Sequence, residues 1–314
     1  MIAYLFRRIG LALAILVVTV SLLFCVIHAV PGDPASVALG PRATAAMKAE
    51  FRAEMGLDRP VFVQFFMFVG RVMTGDLGTD VLTRQPVARL VLDVLPNTMV
   101  LAFASILWAV VAAIGLGLWC GLYPNGWADR LIGVISTSII AVPTFVVAIY
   151  SLLIFAVQLR WFPAIGAGKS GDPLSYIHHL ILPSFAVGLG WVGYLARIIR
   201  AAMLDVMSEN HVRTYRAFGV SDTRIALRFV LPIVIVPVIS VLGVGLGTLL
   251  SGAVLTEIVF DRPGLGRLAY DAVISRNYPV VTGTVVVTAS LYLFCNLVAD
   301  LCLARLSPDA RAKL

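Results

Sequence analysis

Six stretches, residues 9–30, 95–123, 131–159, 180–196, 233–259 and 278–303, contain between them two acidic side chains, Glu257 and Asp300, and no lysine or arginine. A helix needs about 20 mostly apolar residues to cross the hydrocarbon core of a bilayer. Five of the six reach that length, and the fourth, with 17 residues, is uninterrupted by charge. In lipid every backbone polar group must be bonded within the protein, so helices are the natural reading. Barrel strands would alternate with period two, and these runs do not. Composition agrees: 60% of the 314 residues are apolar and 13% charged, where soluble domains are roughly a quarter charged. With 26 Gly, 16 Pro and 4 Cys, the collagen-like, disordered and disulfide-scaffold classes are excluded. The expectation is an all-α integral membrane protein with six transmembrane helices.

Arg7 and Arg8 precede the first run as they would in a signal peptide. The run is longer than a typical signal-peptide core and no small-residue cleavage site follows it, so it reads as a retained helix. Six spans put both termini on one side. Positive charge near short loops sets orientation. Arg197, Arg200, Arg213, Arg216, Arg224 and Arg228 crowd the loop between spans four and five, which places that loop and both termini in the cytoplasm. Seven basic residues of residues 31–93 are matched there by seven acids. The net charge of +7 is then a topology signal rather than a nucleic-acid footprint.

Residues 31–93 read as a small external subdomain. A helix is expected over 43–56, ending at Gly56, and an aromatic-rich helix over 61–73 that lies along the membrane surface or packs on the outer helix ends. Several motifs are discounted. Gly166-Ala167-Gly168-Lys169-Ser170 suggests a phosphate loop, but Pro163 stands where the first glycine belongs, no buried strand precedes, and Asp172-Pro173 argues against a following helix. Gly188, Gly190 and Gly193 inside span four, Gly117 with Gly121, and Gly243 with Gly247 read as close helix approaches. The adjacent His178 and His179 do not share a helix face and are read as a solvated pair, not metal ligands. Cys25, Cys120, Cys295 and Cys302 form no CxxC pair and read as small packing residues. No Ser-His-Asp set or carboxylate pair suggests catalysis. Glu257 near the outer end of span five, and Asn296 and Asp300 near the inner end of span six, are read either as capping and hydrogen-bonding groups or as part of a translocation or gating path.

The segment 197–232 carries most information. Residues 200–207 continue span four, a second helix fits 209–218 and stops at Gly219, and Ser221 or Asp222 caps a third that leads into span five. A short helix held crosswise between two membrane helices suits insertion into a groove on a cytoplasmic partner.

This segment resembles the EAA loop of ABC-importer permeases. Gly219 matches the motif glycine, Phe229 stands where Ile is usual, and Leu231-Pro232 keep the spacing. Arg213-Thr214-Tyr215 replace Glu-Ala-Ala, as in the dipeptide/oligopeptide/nickel branch, with Tyr215 for an alanine. Arg7-Arg8, Pro31-Gly32-Asp33-Pro34, Gly75-Asp76-Leu77-Gly78, Pro86-Val87, Leu95-Pro96-Asn97-Thr98 and Val142-Pro143-Thr144-Phe145 resemble that branch too. So do Ser251-Gly252-Ala253-Val254-Leu255-Thr256-Glu257, Phe260, Pro263-Gly264-Leu265-Gly266-Arg267, Arg276-Asn277-Tyr278-Pro279 and Asn296-Leu297-Val298-Ala299-Asp300. The likeness is to the first of the two permease subunits. Arg262, where the branch often has an aromatic or small residue, and Asn277, where it often has Asp, depart from it without obvious functional weight.

The resemblance implies a type I ABC-importer permease architecture: a cytoplasmic tip and first helix (1–30), an external segment (31–94), a five-helix permease core (95–304) with the coupling loop at 197–232, and a cytoplasmic tail (305–314). It implies a non-catalytic subunit of an ATP-driven, binding-protein-dependent importer of the bacterial inner membrane, carrying peptides by alternating access. The partners implied are a second permease in a heterodimer, two cytoplasmic ATPases that use ATP and Mg, an external solute-binding protein and the bilayer, with no nucleic acid. The coupling residues would be Arg213, Thr214, Tyr215, Arg216, Ala217, Phe218, Gly219 and Ser221. An ion-coupled secondary transporter working without an ATPase is the alternative; it would favour paired intramembrane acids and inverted repeats.

Overall fold

A computed structural model describes residues 2–29, 43–56, 58–169 and 171–306. The Pro31-Gly32-Asp33-Pro34 motif, Ser170 and the last eight residues lie outside them. Among the described residues there is no strand beyond one isolated bridge, Thr79 with Pro86. The helices are α1 (Ile2–Ala29), α2 (Ala45–Met55), α3 (Val61–Met73), α4 (Val87–Leu122), α5 (Trp127–Ala141), α6 (Thr144–Ser151), α7 (Pro173–Met207), α8 (Asn210–Ala217), α9 (Asp222–Ile225), α10 (Leu231–Val259), α11 (Leu265–Ile274) and α12 (Tyr278–Leu306). Among them, five helical stretches are long and apolar enough to cross a membrane, and α5 with α6 makes a sixth if the bent pair is one span.

That bend corrects the expectation of a continuous third span. The chain turns by 102° between the two helices. The cause is Pro143, which disfavours helical backbone at the residue before it. Val142 is accordingly extended, at φ −85° and ψ 123°. Past α6 the helix widens to a π-helix over Leu152–Gln158. A second π-helical turn, Ala226–Val230, precedes Leu231-Pro232. Proline offers no N–H and crowds the carbonyl four residues back, and a wider turn accommodates both.

A second correction concerns residues 172–173, which start a helix rather than prevent one. The Asp172 carboxylate accepts from the Leu174 and Ser175 amides at 3.1 Å, and Pro173 occupies the first turn of α7. Proline is tolerated there because the first-turn amides have no intrahelical partner anyway. The span therefore runs for 35 residues, not 17.

The chain divides into two compact units, Met1–Pro96 with Gly264–Phe294, and Asn97–Pro263 with Cys295–Leu314. In the first unit α2 is capped as expected: the Thr44 hydroxyl accepts from Met47 N–H and Gly56 closes the helix at φ 71°. The aromatic face of α3 packs on α1, with Phe24 near Phe65 and Phe68 and the His28 ring bonded to Gln64. Val20, Val72 and Val286 form one small core there, and Val87, Val91, Leu265, Ala272 and Val280 another.

In the second unit α7 is the hub. Leu195, Ile199 and Met203 pack with residues of α4, α8, α9 and α10 in the largest apolar core. Leu182 and Ala186 pack with Ala148, Ala156 and Phe260 in another. Small residues set these distances. A Cβ on Gly117 would lie 2.6 Å from Ile199, one on Gly121 2.5 Å from Met203 Sδ, and one on Gly193 2.9 Å from the Ser136 carbonyl. Gly188 is closed in by Trp108, whereas Gly190 faces open space, so the packing reading holds for two of the three span-four glycines. Filling such a contact costs about 1–3 kcal/mol by overpacking. Gly121→Val should therefore lower the melting temperature of the detergent-solubilised protein, while Gly190→Ala should leave it unchanged, both read by intrinsic fluorescence on heating.

Candidate coupling loop and buried polar clusters

The helix α8 begins three residues after α7 ends, with Glu209 at its N-cap. It stops because Gly219 turns left-handed at φ 78°, a conformation that favours glycine. Gly219 N–H then bonds the Arg216 carbonyl at 2.9 Å and Val220 N–H the Tyr215 carbonyl at 3.1 Å. That pair of bonds is a Schellman turn, completed by the apolar contact it usually carries, since Val220 and Tyr215 share one core. Ser221 sits at the N-cap of α9, exposed, and its side chain makes no capping bond.

The two faces of α8 differ. Val212 is fully buried and Tyr215 is half-buried, stacked on Phe229 with ring centroids 4.3 Å apart. Arg213, Thr214, Ala217 and Phe218 are exposed, Phe218 at 80%. Arg216 is exposed too, but its Nε donates to Asp222 at 2.7 Å, so it braces the turn between α8 and α9. Of the expected coupling residues, then, the structure turns Tyr215 inward, ties Arg216 within the loop, and leaves Arg213 and Phe218 facing out.

Glu257 is 1% exposed on α10 and accepts a 2.6 Å hydrogen bond from Thr98 of α4. Arg262, five residues on, is fully buried and lies within electrostatic reach of it. The Arg262 guanidinium stands 4.9 Å over the Tyr176 ring, whose hydroxyl donates to Asn97 at 3.2 Å. None of the three guanidinium nitrogens has a hydrogen-bond partner among the described residues, so attraction to the ring face is its main direct contact. Asn296 and Asp300 are half-buried on α12, one turn apart, and Asp300 is not isolated.

Two clusters were not legible as sites in the sequence. Asp129 accepts from Arg200 through both oxygens, at 2.5 and 2.7 Å, and from the backbone N–H of Asn125 at 2.9 Å. The partners are 71 residues apart, and no local pattern marks them. The second cluster gives Asn277 a role. Its amide donates to the buried Asp80 carboxylate, which also accepts from the Thr83 hydroxyl and, at 2.9 Å, from the Leu82 amide. Burial alone would push the Asp80 carboxyl up, but these bonds outweigh it and hold the group below its ordinary value. His178 and His179 bond the Trp161 and Ser175 carbonyls, and among the described residues no group of His, Cys, Asp or Glu could hold a metal ion.

Residues 1–102 match the N-terminal part, and residues 113–312 the main part, of the family described as binding-protein-dependent transport system inner membrane component. The chain belongs to that family. It is a multi-pass inner-membrane permease subunit of an ABC importer, a component that is not itself an enzyme. It is 36% identical over 307 residues to the glutathione transport system permease protein GsiC of Salmonella paratyphi A and of Escherichia coli K12, covering 98% of each chain. Two structures of the inward-facing MetNI methionine ABC transporter share its fold, with TM-scores of 0.59 and 0.57 at 17% and 18% identity. They cover 71% and 69% of this chain and 98% and 96% of theirs.

Asn277 also explains why Asp at this place would be unfavourable in this chain: a second carboxylate would face Asp80 with no bridging proton. Because Asp80's folded pKa is depressed, its contribution is complete above the usual carboxylate pKa and is lost as pH falls through the lower folded value. Asn277→Asp should cost about 1–3 kcal/mol at pH 7, and that loss should shrink as pH falls far enough to protonate one carboxylate. Melting temperature against pH for both proteins checks it; a loss independent of pH would refute the charge argument.

Proposed function

We propose that this permease subunit carries peptide-class cargo inward, with the loop 197–232 on the cytoplasmic side seated in a groove of a partner ATPase. The observation that carries the reading is the two-faced α8: fixed to the membrane core through Val212 and Tyr215, it leaves Arg213 exposed and Phe218, at its C-cap, 80% exposed. A large aromatic held in the open by a Schellman turn suits a buried anchor at an interface. Arg213 suits the acidic side chains of such a groove, and the arginine-rich loop fits the cytoplasmic placement, with both termini on that side.

In this reading two ATPases, using ATP and Mg, close on each other and draw the α8 helices together. Packing along α7 passes the displacement into the membrane, and the permease pair opens alternately to either side. The second permease would be a different chain. Glu257, Asn296 and Asp300 would contribute to the path or its gating. An external binding protein would deliver cargo to the opposite face. Relatives named as glutathione permeases support a small peptide-like cargo, since glutathione is itself a tripeptide.

Phe218→Ala removes an exposed side chain, so stability should hold within about 0.5 kcal/mol. Co-purification of the ATPase should nevertheless fall at least tenfold, and Arg213→Asp should act in the same direction. Wild-type assembly and wild-type glutathione or dipeptide uptake in both variants would rule the docking surface out.

A further inference from the structure

Arg200 stands two turns before the end of α7, the helix from which α8 directly continues. Asp129 stands in the first turn of α5. Their bidentate pair joins those helices at the end of α7 nearest the coupling loop. The Asp129 side chain is 4% exposed and that of Arg200 34%, so the carboxylate has left water while the guanidinium still touches it. The same carboxylate accepts from the backbone N–H of Asn125, which ties the α4–α5 turn into the cluster.

Another close approach of α5 to α7 is of a different kind. Gly193 lies against Ser136 through small surfaces. Contacts of that kind slide by an ångström or so at little cost, the basis of shear motions between packed helices. A two-pronged bond to a buried carboxylate does not slide: it has one good geometry, and separating it leaves a charge without a partner in a dry site. The α4 contacts through Gly117 and Gly121 hold α7 but do not bind α5.

We propose that the Asp129–Arg200 pair is a positioning link that makes α5 move as one body with α7 and the coupling helix during the ATPase cycle. The assignment rests on the docking of α8 proposed above. It gives the arginine-rich loop a division of labour: Arg213 faces the partner, Arg216 braces the turn, and Arg200 carries the motion into the membrane.

The test uses the whole transporter purified with its ATPase subunits. Spin labels are placed at the exposed positions Arg130→Cys and Asp205→Cys after the native cysteines are replaced by serine. The label-to-label distance is read without nucleotide and after trapping with ATP and vanadate. With the pair intact the distance should be the same in both states. In Asp129→Asn or Arg200→Gln it should shift on trapping by about 2 Å or more, and the exchanged pair Asp129→Arg with Arg200→Asp should restore the invariant distance. If Asp129→Asn fails to fold, Arg200→Lys carries the test, since it keeps the charge and loses the second prong. Variants that keep the wild-type distance in both states would overturn the link. Failure of the wild-type chain to hold any ATPase would instead overturn the docking reading beneath it.

Discussion

The second unit depends on how closely other helices can approach α7. Within a bilayer, apolar surface gains little by leaving lipid for protein, so close packing and directed polar contacts must hold helices together. This chain supplies the first with glycine. Gly117 and Gly121 on α4 let Ile199 and Met203 of α7 seat against a bare backbone, and Gly193 on α7 does the same for Ser136 of α5. The second comes from Trp108, whose indole N–H reaches the Ser184 carbonyl at 2.8 Å, and from Arg200 on Asp129. Most of α7's apolar window is buried, whereas only a minority of the windows on α4 and α10 is. The hub is thus fixed within its unit, and α4 and α10 keep apolar surface for lipid or for another subunit.

The same comparison shows what could be read from sequence. Spans announce themselves because an uncharged run of about 20 residues has few other uses. Their ends do not, because helices continue past the lipid wherever side chains permit. α4 starts at Val87 and α7 runs to Met207, both well beyond the apolar stretches that reveal them. Prolines mislead in both directions. Pro143 breaks a span that hydropathy alone treats as continuous, whereas Pro173 begins a helix, and Pro96, Pro183 and Pro237 sit inside helices. What separates these cases is the neighbouring residue. Asp172 is a capping side chain that rewards a helix start, and Val142 has none to offer.

The coupling loop was legible for a related reason. Its turn is local: a left-handed glycine and a serine at the next N-cap position lie within a dozen residues, so backbone preference alone predicts the helix–turn–helix shape, even though the serine side chain makes no capping bond. Which arginine does what was not legible. Arg213 and Arg216 look alike in the sequence, and only the position of Asp222 across the turn separates them. Tyr215 stands among the expected coupling residues, yet its ring stacks on Phe229 within the loop. Asp80 with Asn277 and Asp129 with Arg200 are pairings over 197 and 71 residues, and no periodicity encodes contacts of that range.

These placements change how the charge of the chain is understood. Arginines clustered in a loop first serve orientation, a property of the loop as a whole to which each contributes alike. The fold then distinguishes among them by what each can reach. Exposed Arg213 keeps its hydration and is available to a partner, where it costs little to bind and little to release. Arg216 gives its Nε–H to a carboxylate six residues away and braces the turn that presents Phe218. Arg200 has its carboxylate in a dry pocket, where geometry is demanding and separation costly. In the docking proposed above, these strengths would follow a mechanical order: reversible at the partner, firmer at the turn, and hardest to break where the loop joins the membrane helices.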